Sequence, residues 1–185
     1  MRNSHSLLKM LHNHCKNTYE HSLRVGMISY NFGRFLGVQN PEHLIFLGTF
    51  HDIGKIMVPP VLLEKKERLS SLEFEFIKCH AKLGEEILKN TSYFIDDYKD
   101  VVLFHHENVD GTGYFGRKGD KIPLLSKIIR IVDSYDVMKN GRVYKQSLDQ
   151  KEIIHELNSL SNKHYDNNLI QKFMIFFQYN SFKYM

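Results

Sequence analysis

The stretch HSLRVGMISYNFGRFLG, residues 21–37, has its larger apolar residues at steps of three and four. After His21 the repeat consists of Val25, Ile28, Phe32 and Phe35. This spacing predicts an amphipathic helix with one apolar face. The same period recurs along nearly the whole chain, and strand-like alternation is nearly absent. The sequence therefore predicts one all-α domain, a helical bundle of about seven to nine helices.

Start and stop signals divide the bundle into separate helices. Ser70 with Glu73, and Asp149 with Glu152, have the spacing of capping boxes, which mark helix starts. The first of them opens a helix that the apolar spacing continues over 70–90. Gly141 follows a helical run and predicts its end.

Composition sets limits on the class of protein. The 185 residues carry a formal net charge of +4 and only two cysteines. The charge suits an anionic partner such as a phosphate ester, although solubility alone also explains it. Two cysteines form no disulfide framework, so we expect free thiols in a reducing cytoplasm. No apolar run reaches the roughly 20 residues of a membrane span. The chain also has no polybasic arm, so we do not expect it to bind polymeric nucleic acid.

Several helices carry an ionisable residue in the middle of an apolar face. Any one of these histidines has an ordinary explanation as a hydrogen-bonded core residue, but a buried carboxylate is costly unless a cation or several donors meet it. If these faces share one core, the residues converge on a site whose nitrogen and oxygen ligands suit Fe, Mn or Zn. The residues are His21, His51, Asp52, His80, His105, His106 and Asp133.

Six ordered blocks give the chain a family resemblance. They include HDIGKI from residue 51, HHENVDGTGY from residue 105 and IVDSYD from residue 131. With these blocks the chain resembles the HD-GYP domains of the HD superfamily, over roughly residues 17–175. The resemblance implies a single helical domain over 1–185 that hydrolyses cyclic di-GMP to linear pGpG, or further to GMP.

The resemblance also implies roles for individual residues. It makes the seven residues named above ligands of two divalent ions, with Asp52 bridging them and a metal-bridging hydroxide attacking phosphorus. Lys55 would neutralise a phosphate oxygen as negative charge develops on it. The substrate would be bound by Lys55, Gly113, Tyr114, Arg142 and Lys145.

Two positions depart from the family pattern. Asn17 stands where members with three metals carry a glutamate, so we expect two ions, Fe or Mn, with Zn, Ni or Mg left open. Phe115 stands where the name-giving motif has proline. Proline would stiffen the loop, so we expect phenylalanine to alter loop order without removing a ligand.

Three interpretations of function stay open at this point. The first is the cyclic di-GMP phosphodiesterase. The second is a phosphohydrolase of the same superfamily acting on another nucleotide or cyclic dinucleotide. The third is a non-catalytic module that binds a cyclic dinucleotide or another protein. A regulatory protein partner is compatible with each of them.

Overall fold

The computed structural model describes residues 4–91, 99–141 and 147–181 of the chain. Within these ranges the structure is helical, and the only β-type pairing is an isolated bridge between Ser161 and Tyr165. The all-α prediction is confirmed, with nine α-helices of five residues or more in the described ranges. Together with the four-residue α4, the helices are α1 Ser4–His14, α2 Lys16–Leu36, α3 Glu42–Phe50, α4 Pro60–Leu63, α5 Ser71–Lys78, α6 His80–Lys89, α7 Lys99–Leu103, α8 Leu124–Asn140, α9 Gln150–Ser159 and α10 Asn167–Ser181.

The long helices α2 and α8 pack against each other at the centre of the bundle. Helix α3 packs along α2, and α10 packs against both α2 and α8. Phe32 is fully buried at this junction, with its ring 5.0 Å from that of Phe173. Phe35 departs from the predicted buried face, because it lies near the end of α2 and is 45% exposed.

Both predicted capping boxes are present, at Ser70 and at Asp149, and Gly141 ends α8 with a positive φ of 73°. The helix expected over 70–90 is instead broken at Cys79 into α5 and α6. The reason is local. The ring Nδ1 of His80 hydrogen-bonds the carbonyl oxygen of Ile77, which a continuous helix would use for the amide of Ala81.

A 3₁₀ turn, Ile53–Met57, follows α3 and packs against α6. Gly54 makes this approach feasible, because a Cβ there would lie 2.6 Å from the amide nitrogen of Gly84. The contact brings the end of α3 and the start of α6 side by side, which places their histidines near each other. Within the ranges that the structure describes, no helix has the length and hydropathy needed to cross a bilayer.

Candidate metal centre and adjoining cavity

Asp52 lies at the centre of a buried group of histidines. Its Oδ1 atom is 3.2 Å from Nε2 of His80 and 3.9 Å from Nε2 of His105. Its Oδ2 atom is 3.4 Å from Nε2 of His51 and 3.9 Å from Nε2 of His21. The two oxygens of one carboxylate thus face two different sets of nitrogens.

We name the two sets after the oxygen they surround. The Oδ1 lobe contains His80, His105 and His106, which with Asp52 form one group able to hold a metal ion. The Oδ2 lobe contains His21 and His51, which with Asp52 form a second such group, and we add Asp133 to it. Asp133 Oδ1 lies 3.0 Å from His21 Nε2 and 4.0 Å from His51 Nε2. The structure therefore brings together all seven residues that the sequence nominated as ligands.

Three histidines are oriented by a backbone carbonyl three residues earlier in the chain. Nδ1 of His51 donates to the carbonyl oxygen of Gly48 at 2.6 Å. In the same way, Nδ1 of His80 donates to Ile77 at 2.6 Å, and Nδ1 of His105 donates to Val102 at 2.5 Å. A carbonyl only accepts hydrogen bonds, so the proton of each neutral ring resides on Nδ1. Each Nε2 is left as a bare acceptor that points into the cluster. This is the tautomer and orientation required of a metal-binding histidine.

Histidine nitrogens that face each other indicate what kind of ligand the cluster can bind. Nε2 of His80 and Nε2 of His105 are 3.3 Å apart, and neither carries a proton in this tautomer. Nε2 of His51 is buried and makes no hydrogen bond to any residue of the described ranges. Lone pairs directed at each other in a buried site repel unless a cation lies between them. The donor set therefore fits divalent metal ions, and nitrogen with carboxylate oxygen is the ligand chemistry of Fe, Mn and Zn.

His21 is oriented differently from the other three. Its Nδ1 lies 2.7 Å from Oδ2 of Asp136, a buried carboxylate one turn beyond Asp133 on α8. Arg24 donates to both oxygens of Asp136, at 2.8 and 2.9 Å, and Asn140 donates to Oδ1 at 2.8 Å. Burial by itself would raise the pKa of Asp136, but the hydrogen bonds from His21 and Arg24 outweigh it and lower that pKa. Asp136 thus stays ionised while it holds the His21 ring.

The charges of the cluster keep its ligands in the form that binds metal. Burial would raise the pKa of Asp52, yet Lys55 and His51 hold that pKa well below its usual range. The Lys55 ammonium is itself buried and lies 2.5 Å from Asp52 Oδ2. Burial, reinforced by the neighbouring histidines, lowers the pKa of His105 and of His106 well below the usual value. The carboxylate is therefore ionised, and these two imidazoles neutral, at neutral pH.

A cavity of about 430 Å³ leads to this cluster. Asp52, Lys55, His21, His80 and His106 line its inner end. One wall is polar and consists of Asn17, Glu20 and Arg24 of α2 with Asn140 of α8. The other wall is largely apolar and consists of Leu62, Leu63, Leu69, Phe74, Ile77 and Tyr114. A cavity of this size with a charged inner end can accept a nucleotide.

The glycine-rich loop after the histidine pair is held by Glu107. This buried carboxylate accepts hydrogen bonds from the backbone N–H of Phe115 at 2.7 Å and of Arg117 at 2.5 Å. The N–H of Phe115 is a group that proline lacks, so phenylalanine adds an anchor here. The expectation that Phe115 costs the loop its stiffness therefore overlooked this bond.

Tyr114 and Gly113, the two loop residues predicted to bind substrate, lie in different surroundings. Tyr114 lines the cavity, and its ring lies 4.6 Å from that of His106. Gly113 packs against Glu107 instead, where a Cβ would lie 2.5 Å from Cα of Glu107. Its role in the structure is to allow the loop to close on that residue. Arg142 and Lys145 lie outside the described residues, while Gly141, just before them, lines the cavity.

Sequence reasoning gave no role to Asp136, Arg24 or Glu107. A signal existed for Asp136, because it follows Asp133 at helical spacing on the same apolar face. Glu107 directly follows the histidine pair, and that position alone does not indicate that it binds loop amides. Arg24 has no signal in the sequence, since a single arginine on a helix is most often solvated.

Comparison with known proteins identifies the family and the fold of the chain. The HD domain family matches residues 5–169. A cyclic di-GMP phosphodiesterase from Thermotoga maritima is 34% identical over 161 residues, which cover 85% of this chain and 44% of that protein. A 3'3'-cGAMP-specific phosphodiesterase 2 from Vibrio cholerae is 28% identical over 160 residues, covering 84% of this chain and 31% of that protein. The chain thus spans less than half the length of these curated relatives.

A solved structure shares the architecture over its full length. The PgpH HD domain of L. monocytogenes, in complex with cyclic-di-AMP, superposes with a TM-score of 0.71 at 20% sequence identity. The match covers 97% of each chain. At this identity the likeness establishes the fold.

Proposed function

This chain belongs to the HD domain family, and on that premise we propose that it is a metal-dependent phosphodiesterase that hydrolyses cyclic di-GMP to linear pGpG, or further to GMP. The observation that supports this most is the position of Asp52, whose two carboxylate oxygens face two separate sets of histidine nitrogens at the inner end of a nucleotide-sized cavity. Relatives at 34% and 32% identity are named cyclic di-GMP phosphodiesterases.

We propose that the protein binds two ions, with the residues of the Oδ1 lobe and of the Oδ2 lobe as the two ligand sets and Asp52 common to both. Bound there, such ions would supply a water of lowered pKa and neutralise charge on the phosphate. Fe or Mn suits the mixed set of histidine and carboxylate, and Zn, Ni or Mg stays open. Asn17, which lines the outer polar wall, offers an amide where a third ion would need a carboxylate.

The remaining residues of the site bind and orient the substrate. Lys55 lies at the inner end of the cavity, where its ammonium balances Asp52 and can meet a phosphate oxygen as charge develops. Tyr114 offers a ring next to His106, against which a base can stack. Gly113 supports the loop that carries Tyr114. Arg142 and Lys145 remain predicted phosphate and base contacts.

A second candidate is hydrolysis of another cyclic dinucleotide. Relatives from Vibrio cholerae are named as specific for 3'3'-cGAMP, and the same fold binds cyclic-di-AMP in the L. monocytogenes structure. The third interpretation, a non-catalytic module, has less support, because the buried histidines and Asp133 gather around Asp52 in groups able to hold metal ions. Both cysteines are free thiols, which suits the cytoplasm, where cyclic dinucleotides act as messengers.

The decisive experiment loads purified protein with Mn²⁺ or Fe²⁺ under anaerobic conditions. The loaded protein is incubated separately with cyclic di-GMP, 3'3'-cGAMP and cyclic di-AMP, and products are separated by chromatography. We expect fastest loss of cyclic di-GMP with linear pGpG as the first product. The matched control is the same protein treated with EDTA and then resupplied with metal.

Each other outcome has a defined meaning. Faster turnover of 3'3'-cGAMP or cyclic di-AMP would assign the second candidate. Metal-loaded protein that binds cyclic di-GMP but leaves all three compounds intact would refute the cyclic dinucleotide phosphodiesterase and favour the binding module.

A further inference from the structure

The apolar wall of the cavity contains two neighbouring aromatic residues, Phe74 and Tyr114, that belong to neither group of candidate metal ligands. The Phe74 ring is 46% exposed and lies 6.3 Å from the Tyr114 ring, at an interplanar angle of 89°. Tyr114 in turn lies against His106 of the Oδ1 lobe. A continuous line of rings thus runs from the cavity mouth to the metal centre.

A cation accompanies the pair. Nζ of Lys78 lies 6.0 Å from the centroid of the Phe74 ring and 5.3 Å from that of Tyr114. Its side chain is also paired with Glu75 at 3.0 Å. Exposed aromatic faces beside a positive charge are the usual surroundings of a nucleobase next to a phosphate backbone.

We propose that Phe74 and Tyr114 form a base-stacking subsite, in which one purine of the dinucleotide lies on the Phe74 ring while its phosphate faces the metal centre. Phe74 is then a specificity-determining residue that favours nucleotides over simple phosphate diesters. The inference rests on the proposed function for the phosphate position. The subsite itself is defined by side chains that line the cavity.

The same helix supplies a matched control. Phe76 is two residues further along α5 and is 48% exposed, nearly the same as Phe74, but it does not line the cavity. If α5 exposed its rings only to dock another protein, the two phenylalanines would be equivalent towards a nucleotide. If Phe74 stacks a base, only Phe74 matters.

The experiment compares Phe74→Ala, Phe74→Tyr and Phe76→Ala in metal-loaded protein. We expect Phe74→Ala to raise the KM for cyclic di-GMP roughly 5- to 150-fold, the range for loss of one stacked base, with a smaller change in kcat. Phe74→Tyr retains an aromatic face and restores the KM to within about threefold of the parent. Phe76→Ala leaves KM unchanged.

Calorimetry with cyclic di-GMP separates this inference from the proposed function. If the parent protein binds the dinucleotide without hydrolysing it, the phosphodiesterase proposal fails, and the same ranking of variants in Kd would still support the subsite. Equal Kd values for the parent and Phe74→Ala would overturn the subsite. So would equal losses in Phe74→Ala and Phe76→Ala.

Discussion

The two lobes around Asp52 differ in how far they rely on backbone carbonyls to orient their histidines. In the Oδ1 lobe, His80 begins α6 and His105 follows the end of α7, and each binds the carbonyl three residues earlier in its own segment. In the Oδ2 lobe, His51 is held in the same way by the carbonyl of Gly48, but His21 lies within α2, whose neighbouring carbonyls are used by the helix itself. Its Nδ1 therefore depends on Asp136, 115 residues away.

The difference teaches where each lobe is vulnerable. No side-chain substitution removes a backbone carbonyl, so the orientation of His80 and His105 survives most mutations nearby. The orientation of His21 depends on one carboxylate and the residues that bind it. The lobes also differ in charge, because the second carboxylate, Asp133, lies 3.0 Å from His21 of the Oδ2 lobe but 4.0 Å from His106 of the Oδ1 lobe.

The largest effect is expected where the lobes meet. Asp52→Asn removes the only carboxylate common to both groups, so both lobes should lose affinity for metal. Hydrolysis of cyclic di-GMP should fall by about 1,000-fold or more, since bound metal supplies several kcal/mol of transition-state stabilisation. Metal content by mass spectrometry should fall well below two ions per chain. A variant that keeps full metal content and activity would contradict the bridging role.

Asp136→Asn should weaken metal binding in the Oδ2 lobe only. The substitution removes the charge that Arg24 and His21 share, and loss of such a supporting partner typically weakens metal affinity about 10- to 100-fold. Titration with chelator should show one ion released early and one retained. Asp166→Asn is the control, because Asp166 lines a separate surface groove. Equal weakening of both ions would show that the lobes are not independent.

Lowering the pH should destabilise the metal-free protein through the buried histidines of the Oδ1 lobe. Burial lowers the pKa of His105 below its value in the unfolded chain, so the unfolded chain takes up a proton that the folded state refuses. This contribution to stability is complete above about pH 7 and is lost as the pH falls below about 6.5. Between pH 7 and 5 the free energy of unfolding should therefore fall as the pH is lowered.

The measurement is urea denaturation of EDTA-treated protein at several pH values. His105→Gln removes one of the two buried imidazoles whose pKa is lowered and should make the profile less steep, with His106 still contributing. The exposed His155 serves as the control, and His155→Gln should leave the profile unchanged. A profile that is flat in the parent protein would contradict the role of the buried imidazole.

Phe115→Pro should give the smallest effect and tests the loop beside the Oδ1 lobe. It removes the N–H that donates to Glu107, a bond to a charged acceptor worth about 1.5–3 kcal/mol. Proline returns about 0.4–1 kcal/mol by restricting the unfolded chain. We expect a net loss of about 1–2 kcal/mol in the free energy of unfolding.

Phe115→Ala separates the two properties of this residue. It keeps the N–H but removes the ring, which packs edge-on against Phe104 at 5.6 Å. The hydrogen bond carries the effect if proline destabilises the protein more than alanine does. A proline variant more stable than the parent would show that chain stiffness outweighs the bond.

Much of the site could be predicted because its residues violate the helical pattern. A histidine or aspartate on an apolar face is visible in the sequence, and the seven nominated ligands do converge. The division into an Oδ1 and an Oδ2 lobe could not be predicted, because it depends on which carboxylate oxygen each ring faces. The break at Cys79 was also missed, since the apolar period continues across it while the His80 ring redirects a carbonyl.

The sequence by itself determined the all-α class, the helix starts at the two capping boxes and the identity of the polar residues in the core, because these depend on local spacing and local hydrogen bonds. Only the tertiary structure decided that Asp136 orients His21, that Glu107 holds the loop through Phe115, and that Phe74 rather than Phe76 faces the cavity. The first is a contact between α2 and α8, whose geometry follows from how these helices pack, and the second depends on the path of the loop that connects α7 to α8. The third depends on how α5 is turned once Cys79 breaks the helix.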